Sequence, residues 1–127
     1  MDKMIVAEIN GKKRYLHYSI ECLFAVNEKY GSVQTALEIL QKDNRESFEA
    51  VRYLAALMAN DAELCRRAEG FTAEEMISEN DIPLRMSPGK YALLMDAVCE
   101  AIAEGYRQEQ EDEDEETDLG LAELRKK

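Results

Sequence analysis

A chain of 127 residues, 46% hydrophobic and 34% charged, is long enough to close one core without disulfide or metal staples and too apolar to be disordered throughout. Its net charge of −11 leaves no basic stripe of the kind phosphate backbones require, which argues against direct nucleic-acid binding. The surplus is local: eight carboxylates fall between Glu109 and Asp118, and the rest of the chain carries only −3.

In chain order, the first elements are two short apolar runs, residues 4–9 (MIVAEI) and 14–18 (RYLHY), joined through Asn10-Gly11. Asn and Gly both tolerate positive φ, so this spacing predicts a β-hairpin over 4–18, closed on Asn10-Gly11 or on the longer Asn10 to Lys13 loop. Either register places Ile5, Ala7, Ile9 and Leu16 on one face, and that face needs a cover.

Ser19 reads as the N-cap of a helix with Ile20, Leu23, Phe24 and Asn27 at helical spacing, ending at Tyr30-Gly31. Ser32 caps a second helix with the stripe Val33, Ala36, Leu37 and Leu40. After a polar connector (41–46), residues 47–59 present Phe48, Val51, Ala55 and Met58, broadened by Tyr53, Leu54 and Leu57. A helix apolar around so much of its circumference is expected at the centre of the core.

Asn60 or Asp61 is expected to start a separate turn or helix, which Gly70 breaks. Thr72 and Glu75 have the spacing of a capping box, predicting a short helix to about Glu79. Ser87-Pro88 is a further helix start, followed by the stripe Tyr91, Met95, Val98, Ile102 and Tyr106. The fold class expected is mainly α, of the α+β kind: an N-terminal hairpin packed on a bundle of five to six helices. A single globular domain would span 1–107 (hairpin 4–18, helical body 19–107), with an acidic tail over 108–127.

Chemistry is hard to find. Cys22, Cys65 and Cys99 form no CxxC pair and read as buried, reduced thiols. His17 is the sole histidine and has no ligand near in sequence, so it reads as a structural or solvent-facing strand residue rather than part of a metal site. Ser19 and Ser87 are explained as caps, and Glu74-Glu75 belongs to the expected capping box. No nucleophile elbow, phosphate loop, zinc-helix motif or cofactor-binding motif is present. No enzyme activity, metal or cofactor is therefore expected. The sequence has no secretory h-region and no apolar run of membrane-spanning length, which with the cysteine pattern points to a reducing cytoplasm.

The acidic run, including Glu111, Asp112 and Glu113, reads as a solvated, disordered end to the last helix. Leu119, Leu121 and Leu124 then reappear before Arg125-Lys126-Lys127, suggesting a short docking segment onto the body or a partner. These six residues are the partner-binding candidates.

Taken together, the Ile9-Asn10-Gly11-Lys12 hairpin, the helix ending in Lys29-Tyr30-Gly31, the helical body and the acidic end resemble the tail assembly chaperones of long-tailed bacteriophages and prophages. The resemblance covers about residues 4–106. It implies a protein that binds the long, helix-rich tape measure protein, keeps it soluble and helps gather tail tube subunits. It also implies absence from the finished virion and, in many such phages, a frameshifted longer product. No catalytic residues are carried over. The alternative from another class is an acidic charge-mimic inhibitor of a nucleic-acid-binding protein, which would need carboxylates on a rigid surface.

Overall fold

Two strands, β1 (Ile5–Ile9) and β2 (Lys12–Leu16), pair antiparallel with Ile5 opposite Leu16 and Ile9 opposite Lys12. The two-residue loop closes on Asn10 (φ 52) and Gly11 (φ 78), the left-handed pair that matches hairpin twist. In the computed structural model the backbone is described for residues 4–116 and the side chains for residues 4–107. Ala7, Ile9 and Leu16 are buried and Ile5 half-buried, so the expected face is the inner one.

Among the described residues four helices follow, α1 (Ile20–Tyr30), α2 (Val33–Gln41), α3 (Arg45–Ala68) and α4 (Pro88–Glu116), with one 3-10 turn at Glu79–Asp81. Helix α3 packs against β2, α1, α2, the 3-10 turn and α4. Its Val51, Leu54, Ala55 and Met58 are fully buried, which makes it the central post. Ser19, Ser32 and Asn44 cap α1, α2 and α3 by accepting from Cys22 N, Thr35 N and Ser47 N. Among the described residues no helix is long and apolar enough to cross a membrane.

Two expected helices are not separate elements. The break at Asn60-Asp61 does not occur, because α3 runs through both residues. Their side chains are engaged elsewhere: Asn60 bonds the backbone N and O of Ile77, and Asp61 bonds His17 and Ser19. A polar side chain committed to a tertiary partner no longer competes for its own helix backbone.

The Thr72 capping box also fails, and residues 71–78 are irregular. Two carbonyls that a helix would use internally and one amide near its start are taken by α3 and β2. Glu74 N donates to Glu63, Arg67 donates to Glu74 O, and Arg14 donates to Glu75 O.

Glu63 anchors that segment. Its side chain is only 3% exposed and accepts from Arg66 at 2.7 Å and Arg67 at 2.9 Å as well as from Glu74 N. The Glu74 amide, then the two guanidinium groups, lower its pKa from 4.5 to about 2. A depressed carboxylate contributes stability that is present above the unfolded value and lost as pH falls toward the folded one. The melting temperature should therefore drop between pH 4.5 and 2 by more in the native chain than in Glu63→Gln. Parallel melting curves over that window would show the Glu63 clamp to be unimportant.

The helix stripes need adjustment. In α1 the buried residues are Cys22 and Val26, while Ile20 and Phe24 are 57% and 51% exposed. In α4 the buried line is Leu94, Ala97, Val98, Ala101 and Ile102, with Tyr91 and Met95 beside it and Tyr106 at the surface. Both expected stripes lay partly off the buried face.

Helix α4 continues through much of the acidic run, to Glu116. Extending a docked helix needs no new nucleus, and glutamate has good helix propensity. Residues 117–127 lie outside the described residues.

Candidate functional site

Beside the hairpin, β1 with its Asn10-Gly11 turn, the connector after the 3-10 turn and the first turns of α4 enclose a groove of about 550 Å³. Its lining combines Val6 and Ile9 from β1, Ile82 and Met86 from the connector, and Leu93 and Leu94 from α4. Strand alternation puts Ile9 inward and Val6 outward. Ile82 is 1% exposed, whereas Val6 is 50% and Leu93 72% exposed.

The groove wall is held from below. Arg52 on α3 donates to Ile82 O at 3.1 Å and to Glu79 O at 2.8 Å. Arg85 and Lys90 also line the groove, together with Glu8. Ser87 is occupied as a cap, accepting from Lys90 N at 3.2 Å. Most of the lining is apolar, and a trough of this kind can take a row of apolar side chains.

A second constellation lies where β2 passes α3. His17 N donates to Met58 O at 3.1 Å, which brings the imidazole over Asp61 and Cys65. His17 Nδ1 is 2.7 Å from Asp61 Oδ2 and 3.5 Å from Cys65 Sγ. Ser19 Oγ donates to Asp61 Oδ1 at 2.8 Å, and the Cys22 thiol donates to His17 O at 3.5 Å. Burial pushes the Cys22 thiol up to about 11, so it stays protonated as that donor.

This is not a serine relay, since Ser19 bonds the carboxylate rather than the imidazole. Sequence proximity missed the cluster because Asp61 and Cys65 lie 44 and 48 residues from His17. The one available signal was their mutual i, i+4 spacing, which puts both on the same helix face.

The partner-binding candidates are not brought together with the groove. Glu111, Asp112 and Glu113 belong to the far end of α4; Glu111 is about 26 Å along the axis from Leu94 at the helical rise per residue. Leu119, Leu121 and Leu124 lie outside the described residues. Compared with known proteins, the chain matches no family model, no curated protein and no solved structure.

Proposed function

We propose that this chain is a tail assembly chaperone of a long-tailed phage or prophage, binding the tape measure protein and helping to recruit tail tube subunits in the host cytoplasm. The observation that carries the reading is the groove between β1 and α4, open at Leu93 and Val6 and floored by Ile82. An amphipathic helix exposes an apolar row at i, i+3, i+4 and i+7, and such a row fits a trough of this kind. Arg85 and Lys90 beside the groove, in an otherwise acidic chain, favour a helix flanked by carboxylates. The tape measure protein as the source of that helix follows from the family resemblance.

A long amphipathic partner aggregates unless it is covered repeatedly, so many copies should bind each tape measure chain. The test is co-expression with the tape measure protein from the same genome, followed by a pulldown at low and high salt with bound copies counted by mass. The expected result is a complex that survives high salt, because apolar burial dominates, and loses at least tenfold in affinity in Leu93→Glu. That exposed position should leave the melting temperature unchanged. No complex under any condition would remove the chaperone reading.

The charge-mimic alternative gains one observation: the acidic run is helical to Glu116, which offers carboxylates a firmer support than a loose tail. A mimic would bind a basic nucleic-acid-binding protein only at low salt and would be unaffected by Leu93→Glu.

A further inference from the structure

We propose that His17, Asp61 and Cys65 form a binding site for one borderline transition-metal cation, of which Zn²⁺ is the type. The inference is independent of the chaperone reading. The three donors, an imidazole nitrogen, a carboxylate oxygen and a sulfur, all lie within 4.8 Å of one another.

Two rigid elements supply them. Asp61 and Cys65 stand one turn apart on α3, and His17 follows directly on the last residue of β2. Its backbone is tied to α3 by the bond to Met58 O and accepts the Cys22 thiol on its carbonyl. Donors preset on a helix, and on a residue tied to that helix just after a paired strand, lose little freedom on binding a cation.

The distances suit a tetrahedral ion. With metal–nitrogen and metal–sulfur bonds of ordinary length for zinc, the N and S donors should be about 3.5 Å apart. The observed His17 Nδ1 to Cys65 Sγ distance is 3.5 Å. The nitrogen and the carboxylate oxygen should stand roughly 3.3 Å apart and are found at 2.7 Å. A small opening at Asp61 is therefore needed, as the shared hydrogen bond gives way to the ion.

The surroundings orient the carboxylate as metal sites require. Ser19 Oγ holds Asp61 Oδ1 at 2.8 Å, so the carboxylate keeps its plane while Oδ2 faces the other two donors. The side chains of His17 and Asp61 are 16% and 15% exposed, enough for water to complete the fourth position.

The donor set also fixes the class of ion. Thiolate and imidazole disfavour Mg²⁺ and Ca²⁺, which take oxygen shells, and favour Zn²⁺, Co²⁺ or Ni²⁺. Bound there, the ion would clip the end of the hairpin to the central helix, and folding and metal affinity would be coupled.

The test uses the untagged full chain freed of metal, with Co²⁺ as the optical probe. The expected result is a thiolate-to-cobalt charge-transfer band that saturates at one equivalent and is displaced by Zn²⁺, which also raises the melting temperature. Cys65→Ser should abolish the band, Asp61→Asn should weaken binding at least tenfold, and Cys99→Ser should leave both unchanged.

Should Cys65→Ser fail to fold, the native chain still decides the matter. It has one histidine, so Zn²⁺ titration followed by the imidazole resonances reads His17 alone. A band absent from the native protein, a band retained in folded Cys65→Ser, or imidazole resonances unmoved by Zn²⁺ would each overturn the assignment.

Discussion

Val98→Asp should lower stability by on the order of 3–5 kcal/mol, because it places an unpaired carboxyl in an apolar site. Val98 is 0% exposed and lies within the core cluster that joins the hairpin, α3 and α4. At this chain length a loss of that size corresponds to a fall in melting temperature of roughly 10–20 °C. The change also removes a well-packed isopropyl group, so the cavity and the desolvation cost act together. Thermal or urea denaturation followed by circular dichroism measures it. An unchanged transition would mean that α4 contributes nothing to the core, contrary to its packing against β1 and α3.

Gly105→Val should cost on the order of 3 kcal/mol, the upper part of the range for overpacking. A Cβ at Gly105 would stand 2.7 Å from Tyr18 O and 3.2 Å from Tyr18 Cβ. The first of these is a backbone oxygen, fixed by the chain that follows β2, so it cannot swing aside like a side-chain tip. Either the end of α4 moves off the hairpin or Tyr18 loses its place over Tyr106, whose ring centroid is 5.8 Å away.

Helix propensity by itself gives a different answer. Glycine inside a helix costs up to about 1 kcal/mol relative to alanine, so replacing it should help. Gly89 supplies the control: it lies in the first turn of the same helix with nothing within 4 Å of an added Cβ. Gly89→Ala should be neutral or slightly stabilising while Gly105→Val unfolds early. Equal melting temperatures for the two variants would show that the contact at Tyr18 relaxes freely.

Local signals were legible in the sequence wherever the determinant was itself local. Asn10-Gly11 specifies the hairpin, because two adjacent residues that accept positive φ are all the turn requires. Ser19, Ser32 and Ser87-Pro88 mark three helix starts, since a cap involves residues three apart. The hydrophobic stripe of α3 placed it at the centre of the core.

Four features were settled only by tertiary contact. Asn60 and Asp61 look like a helix break, and became interior helix residues because Ile77, His17 and Ser19 occupy their side chains. Thr72 to Glu75 has the pattern of a capping box, and stayed irregular because Glu63, Arg67 and Arg14 took its peptide groups. The His17, Asp61 and Cys65 constellation and the groove beside β1 both join residues more than forty positions apart. Hydrogen-bonding capacity is written in a residue's type, but which partner satisfies it depends on what folding brings within about 3 Å. That choice belongs to the packed chain as a whole.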